Sequence, residues 1–177
     1  MSSDELSFIA TMSICNYPVT LAGNRLTTQW MKTAPTRFYF KYFHGFYNIQ
    51  IASGEHAGAC VDVVGDGYLV AAKDGTPFLL QATTKAYITL AEIVGDQKAV
   101  YLQTPRKYYV QQCMYGGTAF EDHDTMYNFL LAVPRVDRGD GKYLAMEENS
   151  WVARSAGYPD RTIPADITLH IEQKGVS

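Results

Sequence analysis

FYNIQIASGEHAGACVDVVGDGYLVAAKDGTPFLLQAT, residues 46–83, carries the clearest signal of fold class in this chain. It holds four short segments rich in β-branched and aromatic residues, FYNIQIA, ACVDVV, YLVAA and PFLLQ. Turn signals such as Gly65-Asp66-Gly67 and Asp74-Gly75 separate them. Similar segments recur every 8 to 12 residues or so along the whole chain, and none keeps a helical period for long. The sequence therefore predicts a single all-β domain over residues 1–177.

An apolar strand that closes a group of short strands recurs along the chain. It appears as RFYFKYF, PFLLQAT, NFLLAVP and DITLHIE, whose leading apolar residues are Phe38, Phe78, Phe129 and Ile167. Their spacing, roughly 40 to 50 residues, is the period of a repeated β unit. With four closing strands, either one segment lies outside the repeat or the true boundaries of the units differ from these.

Composition and charge limit the classes of partner. The chain has 177 residues, of which 47% are apolar, enough for one core. Lys and Arg number 15 against 18 Asp and Glu, so the net charge of −3 gives no general attraction to nucleic acid. No apolar run approaches the length that spans a bilayer, which predicts no membrane insertion.

The N-terminus and the cysteines predict a cytoplasmic protein. Asp4 and Glu5 stand where a secretory signal carries positive charge. The three cysteines, Cys15, Cys60 and Cys113, are odd in number and lie in apolar segments, so we expect buried thiols in a reducing compartment.

The order of strands in residues 46–83 resembles one repeat of a ricin-B-like β-trefoil. The shared pattern is an opening strand, a strand with a Cys-hydrophobic-Asp step at Cys60 to Asp62, a third strand and an apolar closing strand. The GKYL step at residues 141–144 is similar to the fascin-like branch of trefoils. The resemblance implies a β-trefoil; a β-sandwich is the alternative architecture.

No catalytic or metal-binding motif accompanies this pattern. The four histidines lie in different segments without ligand spacing, and the chain has no Gly-x-Ser-x-Gly elbow, phosphate loop or dinucleotide fingerprint. We therefore expect a protein without enzymatic activity, cofactor or metal.

The loop YGGTAFEDHDTMY, residues 115–127, is the first candidate binding site. It combines carboxylates, a histidine and aromatic rings: Tyr115, Glu121, Asp122, His123, Asp124 and Tyr127. Carboxylates accept hydrogen bonds from sugar hydroxyls, and an aromatic face packs on the apolar face of a sugar ring. The same residues also suit a solvated hairpin tip.

A second candidate site follows from the ricin-like resemblance, in which an Asp of the second strand of a repeat binds sugar. Asp62 occupies that place, with Asp66 and Tyr68 close by in sequence. The alternative role for Asp62 is to stabilise a turn.

These observations favour a carbohydrate-binding module, a lectin that binds a saccharide or glycoprotein without catalysis. The alternative is a β-trefoil protease inhibitor, similar to those of mushrooms, which would present an exposed loop to a protease. Residues 156–165 suit such a loop because two prolines stiffen it. The inhibitory residues would be Tyr158, Pro159, Asp160 and Arg161.

Overall fold

The computed structural model describes residues 2–29, 33–65, 67–112, 127–132, 136–137, 143–144 and 164–177. Within these ranges the chain forms short antiparallel strands and one 3₁₀ turn. The strands are β1 (Phe8–Ile14), β2 (Tyr17–Ala22), β3 (Arg25–Gln29), β4 (Phe38–Phe43), β5 (Phe46–Ile51), β6 (Cys60–Val63), β7 (Leu69–Ala72), β8 (Pro77–Ala82), β9 (Gln97–Gln103), β10 (Gln111–Gln112), β11 (Tyr127–Leu131), β12 (Val136–Asp137), β13 (Tyr143–Leu144) and β14 (Ile167–Lys174), and the turn is Leu90–Glu92. The described part contains no α-helix, which confirms the all-β class.

The strands close into a barrel. Nine of them pair in the circular order β1-β2-β3-β7-β6-β5-β8-β9-β14 and back to β1. Strand β4 pairs with both β1 and β5, so β1, β4, β5, β8, β9 and β14 form a smaller closed ring of six. Closure matters because it pairs strand edges that would otherwise be open to association with other chains.

The recurrent apolar strands divide into two kinds. Phe38, Phe78 and Ile167 lie in β4, β8 and β14, all members of the six-strand ring. Phe129 lies in β11, outside the ring, where it is paired with Thr27 of β3. All four side chains are buried. A strand outside the ring therefore buries the same kind of apolar side chain as a strand within it. The apolar pattern therefore identified strands without distinguishing their positions.

The segment AYITLAEI, residues 86–93, is rich in apolar and β-branched residues and predicts a strand like its neighbours, and this prediction is wrong. The segment forms a single β-bridge at Tyr87 and then the 3₁₀ turn Leu90–Glu92. Thr89 and Glu92 form a capping box at this turn, each side chain accepting from the other's backbone N–H. This local hydrogen bonding overrides the strand preference of the neighbouring apolar residues.

Three aromatic side chains, from β1, β4 and β5, pack together in the core. Phe8 of β1 stacks on Phe40 of β4, with ring centroids 4.6 Å apart and planes 7° from parallel. Tyr47 of β5 meets both rings edge-on. In RFYFKYF only Phe38 and Phe40 are buried, in agreement with the expected alternation along a strand.

The cysteines do not behave as predicted. Cys15 is exposed on the tight turn between β1 and β2, with a φ of 51°, and Cys60 is half-buried. The tight connection places Cys15 at a tip, beyond the reach of the core. Cys113 lies outside the described residues. No helix within the described ranges is both long enough and apolar enough to cross a membrane.

Candidate functional site

The hairpin of β6 and β7 has one face toward the core and one face outward. Val61 and Leu69 are fully buried on the inner face. Asp62 is paired with Val70, so their side chains lie together on the outer face, and strand alternation adds Tyr68 to it. The register therefore brings together Asp62 and Tyr68, two of the three residues predicted for this site. Asp66, the third, lies outside the described residues.

Asp62 stabilises the hairpin. Its Oδ1 accepts hydrogen bonds from the Val63 N–H at 2.9 Å and from Thr76 Oγ1 at 2.7 Å. The Thr76 N–H donates in turn to the Val61 carbonyl at 3.1 Å, which ties β6 to the start of β8. The alternative role, turn stabilisation, is thus observed for one carboxylate oxygen. The other oxygen, Oδ2, receives no hydrogen bond from the described part of the chain.

Arg25 completes the outer face and is a residue that sequence reasoning missed. It begins β3 and is paired with Val70. Its guanidinium carbon lies 3.9 Å from the centroid of the Tyr68 ring and 5.6 Å from that of Phe129, and the two rings meet edge-on. The attraction between the Arg25 guanidinium and the two aromatic rings restrains all three side chains. No local motif marks Arg25, because only the pairing of β3 with β7 brings it to Tyr68.

Strand β11 begins at Tyr127, the last residue of the first candidate site, and ends at the β6–β7 hairpin. The end of β11 reaches the turn of the β6–β7 hairpin. There Tyr68 and Leu131 form an isolated antiparallel β-bridge, and the Ala132 N–H donates to the Gly67 carbonyl at 2.8 Å. Its first residue, Tyr127, is paired with Gln29 at the far end of β3. The strand rise places the Tyr127 backbone roughly 14 Å from that of Leu131, so Tyr127 lies at the opposite end of β11 from Tyr68.

The remaining predicted residues lie outside the described part of the chain. They are Tyr115, Glu121, Asp122, His123 and Asp124 of the acidic loop, and Tyr158, Pro159, Asp160 and Arg161 of the inhibitory loop. Their roles stay predictions.

Metal-ligating residues do not cluster in the described ranges, where no group of three His, Cys, Asp or Glu side chains could hold an ion. His170 is instead hydrogen-bonded through Nε2 to Ser13 Oγ at 2.9 Å, across β14 and β1. His44 is exposed on the turn between β4 and β5.

The chain was compared with known proteins at three levels. No protein-family model, curated protein or solved structure matches it.

Proposed function

We propose that the closed barrel is a β-trefoil. The six-strand ring consists of three pairs of strands, β1 with β4, β5 with β8 and β9 with β14. Between the members of each pair the chain inserts a pair of strands that joins this order, namely β2–β3, β6–β7 or β10–β11. Between β9 and β14 it also forms the separate two-stranded sheet β12–β13. Strand β3 pairs with both β7 and β11, which joins the three inserted pairs on one side of the ring. This threefold order supports a trefoil over a sandwich, in which two open sheets would face each other.

We propose further that the chain binds a saccharide on the outer face of the β6–β7 hairpin. The observation that carries this proposal is that Asp62 Oδ2 accepts no hydrogen bond from the described residues, on the face of the sheet that also carries Tyr68 and Arg25. A carboxylate oxygen accepts from sugar hydroxyls, a guanidinium donates to sugar oxygens, and a tyrosine offers an apolar ring edge with a hydroxyl. Fixing Asp62 through Oδ1 lowers the entropy lost when Oδ2 engages a ligand.

Asp62→Asn tests this proposal on a glycan array. The amide oxygen of Asn can still accept from Val63 and Thr76, while Oδ2 becomes an amide nitrogen that donates. We expect wild-type protein to show saturable binding and D62N to lose about tenfold or more in affinity, because a charged acceptor becomes a donor.

Asp74→Asn is the matched control. Asp74 is exposed at the end of the same hairpin, and its substitution removes the same charge. We expect D74N to bind as the wild type does. A flat array, or equal losses in D62N and D74N, would contradict saccharide binding at this face.

The inhibitor alternative is tested on the same preparation. A panel of cysteine, serine and aspartic proteases is assayed with wild-type protein and with protein cleaved within residues 156–165. Tight inhibition that cleavage abolishes, together with a flat glycan array, would replace the lectin proposal by the inhibitor function.

A further inference from the structure

A nine-residue pattern occurs twice in the middle of the chain, as LQATTKAYI at residues 80–88 and LQTPRKYYV at residues 102–110. Both copies share Leu-Gln, a lysine, a tyrosine and a closing β-branched residue at the same positions. Leu80 of β8 and Leu102 of β9 are paired directly opposite each other, and both are buried. The two copies are therefore related by a local twofold axis through this pair of leucines.

Each copy folds back on its own strand through the same tight turn. Lys85 and Lys107 hold equivalent left-handed backbone conformations, with φ of 70° and 69°. The Lys85 N–H donates to the Ala82 carbonyl at 2.8 Å, and the Lys107 N–H donates to the Thr104 carbonyl at 2.9 Å. A shared hydrogen-bond pattern and a shared φ indicate that both turns are ordered by the same local chemistry.

The two copies exchange hydrogen bonds across the local axis. The Tyr87 hydroxyl donates to Gln103 Oε1 at 2.8 Å, and the Tyr109 hydroxyl donates to Gln81 Oε1 at 2.9 Å. Both glutamines are 4% exposed, so these bonds satisfy buried amide oxygens on the outer side of the barrel. The exchange fixes both tyrosine rings against β8 and β9, while Tyr87 stays 51% exposed.

Exposed cations stand over these rings. Lys107 Nζ lies 3.1 Å from the Tyr87 hydroxyl oxygen and 4.6 Å from the ring centroid, and Lys85 Nζ lies 5.9 Å from the centroid of Tyr109. Arg106 is exposed beside Lys107. Across the described ranges none of these three cations forms an ion pair with a carboxylate. The chain, whose net charge is −3, thus carries a positive surface with which no carboxylate of the described residues forms an ion pair.

One carboxylate borders this surface. Asp166 precedes β14 and lies close to Tyr101, whose pKa is raised by burial and then by the charge of Asp166. Tyr101 in turn meets the Tyr109 ring edge-on at 6.1 Å. Asp166 therefore acts on a tyrosine at the edge of the surface and leaves the three cations available.

We propose that Lys85, Tyr87, Arg106, Lys107 and Tyr109, together the twin-turn surface, bind an anionic polysaccharide that carries carboxylate or sulfate groups. Two equivalent lysine–tyrosine units suit a polymer that repeats one anionic sugar: each cation meets an anionic group, and the exposed ring of Tyr87 packs on the apolar face of a sugar. An acidic peptide is less well matched, because the surface combines charge with flat aromatic rings rather than an apolar groove. This proposal does not depend on saccharide binding at Asp62.

Isothermal titration with dextran sulfate and with neutral dextran of equal length tests the proposal. We expect the wild type to bind dextran sulfate and not dextran, and the affinity to fall as salt screens the charges. The variant K85Q/R106Q/K107Q, which removes three charges and leaves polar side chains in their place, is expected to lose about tenfold or more in affinity.

The matched control is K41Q/K73Q/K174Q, which removes three exposed lysine charges from other strands and turns. We expect its affinity to stay within about twofold of the wild type. Equal losses in both triple variants would overturn the proposal, because they would show that only net charge matters. Equal affinity for polyglutamate or single-stranded DNA at matched charge would also overturn it, in favour of a peptide or nucleic-acid partner.

A single substitution keeps the test available if the triple variant does not fold. The Arg106 side chain is exposed and makes no hydrogen bond within the described ranges, so R106Q is expected to fold normally. Its affinity for dextran sulfate should fall about twofold to threefold. An unchanged affinity in a folded R106Q would overturn the proposal, because an exposed cation of the twin-turn surface would then contribute nothing to binding.

Discussion

The hydroxyl of Tyr47 is a buried polar group that joins three parts of the barrel. Tyr47 is fully buried in β5. Its hydroxyl donates to the Leu6 carbonyl at 3.0 Å and accepts from the Leu90 N–H at 2.9 Å. One side chain therefore fastens the N-terminal segment and the 3₁₀ turn to the ring, and the substitution Tyr47→Phe removes both bonds while keeping the ring.

The expected cost follows from the two backbone groups that lose their partner. Leu6 and Leu90 are themselves buried, so neither group regains a hydrogen bond from bulk water. An unsatisfied buried donor or acceptor costs about 1–3 kcal/mol, so we expect Y47F to lower the free energy of unfolding by about 2–4 kcal/mol. The contacts of the ring with Phe8 and Phe40 stay, so no cavity term adds to this loss.

Tyr39→Phe is the matched control. The Tyr39 hydroxyl donates to the Val176 carbonyl at 3.1 Å near the C-terminus, where both residues are partly exposed and water can replace the bond. We expect Y39F to cost less than about 1 kcal/mol. Urea unfolding, followed by tyrosine fluorescence and circular dichroism, measures both. A Y47F protein whose free energy of unfolding lies within about 0.5 kcal/mol of the wild-type value, or equal losses in the two variants, would contradict the expected cost of the unpaired backbone groups.

The same residue predicts a pH dependence. Burial raises the pKa of Tyr47 above the ordinary value of 10.0. In alkali the Tyr47 hydroxyl loses its proton in the unfolded chain and keeps it in the native state. Its contribution to the free energy of unfolding is therefore present below about pH 10 and is lost as pH rises further. The free energy of unfolding of the wild type should therefore fall more steeply than that of Y47F between about pH 9 and pH 11.

Two further substitutions test local packing and capping. A β-carbon on Gly75 would lie 2.9 Å from the Cys60 β-carbon. Thermal unfolding should therefore show that Gly75→Ala lowers the free energy of unfolding by about 1–3 kcal/mol. The control Gly65→Ala, whose β-carbon meets open space, should change it little. In the capping box the Thr89 backbone N–H, with the Thr89 hydroxyl, lowers the pKa of Glu92 despite partial desolvation. That stabilisation is present above the ordinary pKa and is lost as pH falls below it, so Glu92→Gln should cost about 0.5 kcal/mol or less at pH 7 and nothing at about pH 3; an equal cost at both values would contradict the charged cap.

The strand pattern was predictable because alternation and β-branched content act over a few residues. The burial of Phe38 and Phe40, and of Phe78 in PFLLQAT, follows from this local rule. The place of each strand was not predictable, because a ring strand and a hairpin strand bury the same kind of side chain. The strand of Phe129 therefore looked equivalent to that of Ile167, although only the latter belongs to the ring.

The candidate sites show the same division. Asp62 could be named from sequence by the ricin-like resemblance and Tyr68 by its closeness to Asp62 along the chain. Arg25 lies far from both in sequence and reaches Tyr68 only through the pairing of β3 with β7. The twin-turn surface did leave a signal, the repeated Leu-Gln and Lys-x-Tyr of residues 80–88 and 102–110. Its meaning needed the register of β8 on β9.

Short strands, tight turns and an apolar face on each strand can be read from the amino-acid sequence, because propensity and alternation depend on neighbouring residues. Which strands close the ring, and which side chains meet on its surface, follows from the packing of the whole chain. The hydrogen bonds that cross between Tyr87 and Gln103, and between Tyr109 and Gln81, join segments whose approach is set by strand pairing. Such pairing is a property of the whole barrel, since each register depends on the strands on both sides.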